Sequence, residues 1–326
     1  MIEIISGSSY SELNQSIDQF KSNSPFLDIK FIQAMEKSKS IGENTGWISF
    51  PLIAKKNNKI VGFMPIFLKE HSYGEYVFDH AWAEAFQQHG LNYYPKMISA
   101  IPFTPITGPR ILSNDIEIKK ALIKAIEKIL VEYKISSCHI LFPEKKDHDL
   151  FNEMGWLSRK GVQFKWHNNS YQTFGEFLET LSHNKRKKIK QERKKIEKNG
   201  ITIERKQGLD ISREDIDFFY QCYCETYRLH NSAPYLKQSF FYELLKNMPN
   251  ELLVVIAKRN DLNIASALSI IGEETLYGRY WGALEFFSGL HFELCYYQGQ
   301  EFCIENKIKY FEGGAQGEHK LSLIHI

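Results

Sequence analysis

The sequence predicts an α/β (α+β) protein built as two tandem domains, each a mixed β-sheet flanked by helices. Three observations point that way. At 326 residues the chain is too long for one small core. A strand–turn–strand motif occurs once in each half. Between these motifs short apolar runs alternate with amphipathic helical stretches, the pattern of layered α/β architecture. Composition agrees: 43% apolar and 14% aromatic residues supply large buried faces and exclude extensive disorder.

The first motif is IAKKNNKIVG (53–62) and its echo is IAKRNDLNIA (256–265), 203 residues later. Each is an apolar strand, an Asn-Asn or Asn-Asp turn and a second apolar strand, which predicts a β-hairpin. YGEY (73–76) and YGRY (277–280) follow at an offset of 204, then HGLNYYPKMISAI (89–101) and SGLHFELCYYQGQEFCI (288–304) at 199, each read as Gly-Leu entering a helix. The ordered series predicts a duplicated β-β-β-α unit, with domains over 1–165 and 166–320. Two unrelated hairpins of similar composition are the alternative.

Between the copies, Ile118, Leu122, Ile126 and Leu130 lie four apart and make DIEIKKALIKAIEKILVEY (115–133) an amphipathic helix. SSCHILFP (136–143) reads as a short buried strand. In the second half, Ile216, Phe219, Tyr220, Tyr223 and Tyr227 mark a helix, and PYLKQSFFYELLKNMP (234–249) marks another between prolines.

LSHNKRKKIKQERKKIEKNG (181–200) stands apart. From Lys185 to Lys198 nine Lys or Arg face two Glu, a charge of +7 in a chain whose total is +2. Ser182 is a fair N-cap and Asn199-Gly200 a clean stop, so the helix is expected over 183–198. Ile189 and Ile196, seven apart, form a thin apolar seam, with Lys188 and Glu192 as an i,i+4 pair. Arg186, Lys187, Lys190, Arg193, Lys194 and Lys198 fan over one side. The face serves either as a solvated surface or as a site for a polyanion. Specific DNA reading is not expected, since no helix-turn-helix partner or zinc site accompanies it.

The five cysteines, Cys138, Cys222, Cys224, Cys295 and Cys303, form no CxxC. Cys222 and Cys224 are two apart, a strand-like or splayed spacing that does not suit zinc; Cys295 and Cys303 read as small core residues of a helix. A reduced, cytoplasmic compartment is expected. No signal peptide is expected in MIEIISGSSYSELNQSIDQF, and the longest apolar run, LLVVIA (252–257), is far short of a membrane span.

The basic segment resembles that of the FemAB-like predicted N-acyltransferases. So do SYGEYVFDHAWAEAFQQHGLNYYPKMISAIPFTPITGPR (72–110) and LYGRYWGALEFFSGLHFELCYYQGQEFCIENKIKYFEGGAQGEHK (276–320). These are bacterial relatives of the peptidoglycan interpeptide-bridge enzymes, made of two GNAT-like domains, and the likeness runs from SPFLDIKFIQAME (24–36) to Lys320. The resemblance implies an acyl or aminoacyl transfer from a phosphate-bearing donor, acyl-CoA or aminoacyl-tRNA, to a small-molecule or envelope-precursor amine. It implies no metal and no prosthetic group. The long helical hairpin of the bridge-forming enzymes is missing, and the basic segment stands in a similar place as a possible tRNA contact. A noncatalytic RNA- or envelope-precursor-binding protein is the alternative.

Acyl transfer to an amine needs a base and donors for the developing oxyanion. In GNAT-like domains the oxyanion donor is a backbone N–H of a splayed strand, and the donor's phosphates sit at the following helix N-terminus. That analogy implies WGALEFFSGLHFE (281–293) in the second half and FDHAWAEAFQQHGLNYYPK (78–96) in the first, with Ser288, Gly289 and Gly90 at the helix entries. Glu75, Asp79, Glu293 and Glu318 are the expected acid/base residues, with His291 and Glu312 beside them. Arg279, Lys187, Lys190 and Lys194 join Ser288 and Gly289 as expected donor contacts. Tyr73, Tyr280, Trp281, His291, Gln316 and Lys320 are the expected substrate contacts. A Glu in YGEY against an Arg in YGRY suggests a base in one copy and an anion clamp in the other, or else two structural ion pairs. FEGGAQGEHK (311–320) reads as a strand ending in a glycine-rich loop. The terminal LSLIHI (321–326) back-translates as CTG TCT CTT ATA CAC ATC, a common transposon-adapter sequence, so a non-native tail on a longer natural chain is expected.

Overall fold

The computed structural model describes residues 2–13, 20 and 24–314. The chain divides into two compact units, Met1–Gly161 and Val162–Ile326.

The first unit runs β1 (Ile2–Ser6), α1 (Ile29–Lys37), β2 (Trp47–Ser49), β3 (Leu52–Lys56), β4 (Lys59–Met64), β5 (Ile66–Lys69), α2 (His80–Gln88), β6 (Lys96–Ser99), α3 (Ile116–Glu132), β7 (Cys138–Ile140) and α4 (Lys145–Glu153). Its strands form two ladders, β1-β3-β4 and β2-β5-β6-β7. Pro51 and Pro65 separate them: each lacks an N–H, so neither donates to the ladder. The Phe50 N–H still reaches the Ile66 carbonyl at 2.9 Å. The core lies where Leu122, Ile123 and Ile126 of α3 meet Leu52, Ala54, Met64 and Ile66. Gly62 lets α3 approach, for a Cβ there would stand 2.6 Å from Ile118 Cγ2.

The second unit runs β8 (Trp166–His167), α5 (Phe174–Thr180), α6 (His183–Lys198), β9 (Ile201–Gln207), α7 (Arg213–Leu229), α8 (Gln238–Asn247), β10 (Leu252–Arg259), β11 (Leu262–Ile271), β12 (Thr275–Ala283), α9 (Leu290–Phe292), a π-helical turn (Glu293–Tyr297), α10 (Gln298–Glu305) and β13 (Tyr310–Glu312). The sheet order is β8-β13-β12-β11-β10-β9, and only β12–β13 is parallel. A capping box between Ser212 and Asp215 starts α7. That helix lies on β12 at Gly282, where a Cβ would stand 1.8 Å from the Cys222 carbonyl oxygen.

The two hairpins match rung by rung. Leu52↔Met64, Ile53↔Phe63 and Ala54↔Gly62 in β3–β4 correspond to Val255↔Ala267, Ile256↔Ser266 and Ala257↔Ala265 in β10–β11, every residue displaced by 203. The ladder shifts register at the same step in both, Ala54/Lys55 and Ala257/Lys258. Both turns hold two consecutive left-handed residues, Asn57-Asn58 and Asn260-Asp261, as a type I′ hairpin requires. Ser49↔Phe67 and Leu252↔Ile270 extend the correspondence across the prolines.

The later echoes do not hold. YGRY lies on β12, whereas YGEY lies in a turn after β5, with Gly74 at φ 79°. The strand that pairs as β12 does is β6, antiparallel to β5 and parallel to β7. Residues 70–95 join β5 to β6, where Gly272–Glu274 suffice between β11 and β12. Likewise 89–101 does not enter a helix: Gly90 closes α2, and KMIS continues as β6. Tyr and Gly suit a turn as readily as a strand, so the short match did not specify conformation. Cys222 and Cys224 also lie on α7 and not on a strand.

Candidate functional site

Two places gather the polar groups expected to act, one in each unit.

In the first unit, β5 and β6 each end on a lysine. Lys69 and Lys96 are fully buried, where a charge must be paired. Lys96 Nζ donates to Glu75 Oε2 at 2.8 Å, to Ser72 Oγ at 2.8 Å, and to Asp79 Oδ2. Tyr93 donates its hydroxyl proton to Asp79 Oδ2 at 2.7 Å and lies 3.2 Å from His139 Nε2, which also meets Ser137 Oγ at 3.0 Å. Lys69 Nζ donates to the Tyr73 carbonyl at 3.2 Å and sits 4.0 Å over the Trp47 ring. Burial raises the Glu75 carboxyl despite Lys96. It pulls in the same direction at Asp79, but the bonds from Lys96, Ser72 and Tyr93 overcome it and leave that carboxyl low. Burial brings Lys69 down to about 7. Burial, with Lys96 nearby, brings His139 down to about 4. The structure thus unites Glu75 and Asp79, the expected acids, in one network, and it adds Lys69, Lys96, Tyr93 and His139. The signal for the lysines was a Lys at the end of an otherwise apolar strand, IFLK and KMIS. Tyr73 is exposed, its ring packed on His71.

Among the described residues of the second unit, β13 pairs with β12 from Thr275↔Tyr310 to Tyr277↔Glu312, and β12 runs on to Ala283. The register against β11 shifts at the same level, Leu268↔Tyr280 following Ser269↔Gly278, so Arg279 is the extra residue of a bulge. Its guanidinium donates to Glu312 Oε1 at 2.6 Å, with both side chains buried. Arg279 and Glu312 are therefore committed to each other, the structural alternative to an anion clamp.

Past the bulge the strand alternates faces. Tyr280 packs among Phe219, Tyr223 and Phe241 of α7 and α8. Trp281 meets His291 of α9, ring centroids 4.9 Å apart, and His291 meets Tyr296 at 5.6 Å. Of the expected contacts, Trp281 and His291 are brought together and Tyr280 points elsewhere. Ser288 is exposed, and Gly289, at φ 92°, turns the chain into α9.

The basic helix α6 has the predicted bounds and buries Ile189 and Ile196. Ser182 takes the N-cap position but its side chain makes no capping bond. Lys187, Lys190 and Lys194 are exposed and, with His183, Arg186 and Gln191, line an open groove. Arg193 does not belong to that face. Its Nε donates to both oxygens of Glu293 at 3.2 Å, and Nη2 reaches Glu301 Oε2 at 2.9 Å. Gln298 Nε2 donates to Glu293 Oε1 at 2.7 Å. Glu293, expected as a base, is thus held as the counter-ion that fastens α6 to the π-helical turn.

Gly289 lies beside α6 too, a Cβ there being 3.6 Å from Glu192 Cβ. At 100° per residue Glu192 is on the far side of α6 from Lys187, Lys190 and Lys194, so the helix entry and the cationic groove are separate surfaces. The lysine near the entry is Lys188, 6.0 Å from the Phe292 ring centroid. Glu318, Gln316 and Lys320, together with the 321–326 tail, lie outside the described residues. Among the described residues no cluster of three or more His, Cys, Asp or Glu is placed to hold a metal, and no helix is long and apolar enough to cross a membrane.

Over residues 2–323 the sequence matches a family model described as FemAB-like, peptidoglycan biosynthesis/recognition. No curated protein matches the chain. Among solved structures, FemX is similar at a TM-score of 0.54 and 12% identity, covering 96% of this chain and 89% of that one. L-PGS from Bacillus licheniformis is similar at 0.53 and 11%, covering 90% and 77%. The C-terminal domain of a candidate lysylphosphatidylglycerol synthetase from Agrobacterium fabrum is similar at 0.54 and 11%, covering 94% and 79%. At these identities the likeness is one of fold.

Proposed function

This chain belongs to the FemAB-like family, an acyltransferase family of GNAT-like fold, and on that premise we propose that its second unit takes an activated, phosphate-bearing acyl or aminoacyl donor and passes the acyl group to an amine in peptidoglycan-related metabolism. The observation that carries this reading is the Arg279 bulge in β12, just beyond which Trp281 meets His291. A bulge re-aims backbone N–H groups away from the regular ladder, where they can meet a developing oxyanion. In the first unit the corresponding ladder of β5 with β6 runs from Ile66↔Ser99 to Lys69↔Lys96 without a register shift.

In the reaction the amine nitrogen attacks the acyl carbonyl carbon. A C–N bond forms, the C–S or C–O bond to the donor breaks, and the amine gives up a proton. We assign that proton to His291, which stands against Trp281 just beyond the bulge. The cationic groove of α6 lies on the far side of that helix from the α9 entry, so it would hold a part of a polyanionic donor remote from the acyl group, in aminoacyl-tRNA or in a CoA thioester. The neighbours FemX and L-PGS favour neither by fold alone.

The test is turnover by the full chain with acyl-CoA and aminoacyl-tRNA panels, read as thiol or tRNA release that depends on added amine. Release from one donor class, lost in His291→Ala, supports the reading. No acceptor-dependent release from any donor overturns it. Charge reversal at Lys187, Lys190 and Lys194 is expected to preserve folding and to reduce the salt slope of tRNA binding by about 2, at roughly 0.7 per phosphate contact on a single strand. An unchanged slope returns α6 to a solvated face.

A further inference from the structure

Residues 70–92 of the first unit are built inside out. The only buried residues in this stretch are Gly74, Glu75 and Asp79. α2 buries none of its side chains, and Phe78, Trp82 and Leu91 are 69%, 53% and 59% exposed. The segment is fastened from beneath, chiefly by polar bonds. Lys96 holds Ser72, Glu75 and Asp79, and Lys69 Nζ and Trp47 Nε1 both donate to the Tyr73 carbonyl, at 3.2 and 3.1 Å. Apolar support comes from Gly74, seated against Phe103 and Trp47, and from Phe86, whose ring meets that of Tyr93 at 5.2 Å.

Each of the two carboxylates has one oxygen that is not engaged. Glu75 Oε1 and Asp79 Oδ1 are buried without a hydrogen-bond partner. Asp147 in the same unit shows what a dedicated structural carboxylate looks like: Oδ2 accepts from the Arg110 and Ile111 N–H groups at 2.6 and 3.0 Å, and Oδ1 from Lys119 at 3.0 Å. A buried acid satisfied on one oxygen keeps part of its desolvation penalty, and at Glu75 burial outweighs the bond from Lys96. Gly272 and Thr275, the residues at the same strand ends in the second unit, carry no charge. Neither lysine is thus demanded by the sheet itself.

We infer that residues 70–92 form a flap that closes over an anion site, with the Glu75 and Asp79 carboxylates occupying the place of an anionic ligand on Lys96. In the open form Lys69, Lys96, Ser137 and His139 remain on the sheet as a cationic, hydrogen-bonding floor for a phosphate or carboxylate group. The flap is autoinhibitory: ligand and flap compete for the same ammonium. This inference is independent of which donor the second unit takes.

Hydrogen exchange of the full chain tests it, with pyrophosphate as the probe and Lys187→Glu/Lys190→Glu/Lys194→Glu as background, so that α6 does not bind the probe. Adding Glu75→Gln and Asp79→Asn is expected to raise amide exchange across 70–92, and to tighten pyrophosphate binding, each by about tenfold or more, since charge-assisted bonds to Lys96 are lost in the closed form alone. Lys96→Met is expected to open the flap equally but to abolish pyrophosphate binding. In all variants the amides of 52–64 stay protected. Wild-type exchange across 70–92 in the carboxamide variant overturns the proposal. So does exchange that rises equally over 52–64, which makes the carboxylates supports of the whole unit. An opened flap with no gain in pyrophosphate affinity also overturns it.

Discussion

Replacing Arg193 by Met separates the two roles that α6 combines. Arg193 is 26% exposed, Glu293 4% and Glu301 26%. Removing the guanidinium leaves Glu301 free to rehydrate, but it strands Glu293 with Gln298 as its remaining side-chain donor. Breaking a buried ion pair from one side costs about 3–5 kcal/mol. With half of this network open to water, the lower end is the working figure, about 3 kcal/mol. Met retains contact with the Phe174 ring, which the guanidinium carbon now covers at 5.0 Å. For a unit of this size the loss corresponds to a fall of roughly 6–12 °C in melting temperature. Calorimetry or urea unfolding of the full chain measures it. The double variant R193M/E293Q supplies the discriminating arm: neutralising the stranded acid is expected to recover at least about half the loss, a coupling within the range of contacting pairs. Lys190→Met, on the exposed face of the same helix, is expected to change stability by less than about 0.5 kcal/mol. A loss below about 1 kcal/mol for R193M, or additive losses in the double variant, would refute the claim that Glu293 is there to fasten the helix.

Two further outcomes are expected. His139 is held neutral, its folded value of about 4 lying below the ordinary 6.5, with Lys96 and Arg159 opposing its protonation and Asp79 favouring it. The unfolded chain therefore binds the extra proton first, and stability present above pH 6.5 drains away as pH falls toward 4, by about 3 kcal/mol at most. Urea midpoints against pH for wild type and His139→Gln measure this, and identical profiles between pH 4 and 6.5 would remove His139 as the cause. Gly282→Ala drives a methyl into the Cys222 carbonyl at 1.8 Å and is expected to cost at least about 3 kcal/mol by pushing α7 off β12. Thermal melting checks it, an unchanged midpoint being the contrary result.

What was legible in the chain was whatever short-range chemistry decides. Asn-Asn and Asn-Asp between apolar strands demanded two left-handed residues, and the hairpins follow to the rung. Ile189 and Ile196 at a spacing of seven, with Asn199-Gly200 as a stop, gave α6 its bounds. The YGEY echo failed because a Gly-Tyr pair is compatible with both turn and strand, and only tertiary pairing separates them. Arg193 was read with the cationic face because its partners, Glu293 and Glu301, lie a hundred or more residues away in sequence. Lys69 and Lys96 escaped notice for a related reason: a lone lysine at a strand end looks solvated until the segment that covers it is known. Within the site, residue types were legible and their grouping was not. Glu75 and Asp79 share one ammonium, whereas Trp281 and Tyr280, adjacent in sequence, serve opposite faces.

Pro51 and Pro65 fall at one level of the first sheet, where the second carries Val254↔Leu268 as an ordinary rung. A ladder with a missing rung is a mechanical joint. Its two panels, β1-β3-β4 on one side and β2-β5-β6-β7 on the other, can shear by small angles without tearing backbone bonds, while the unbroken sheet of the second unit resists the same distortion. One unit is thus jointed and the other continuous, and the jointed one carries the buried lysines on its β2-β5-β6-β7 panel.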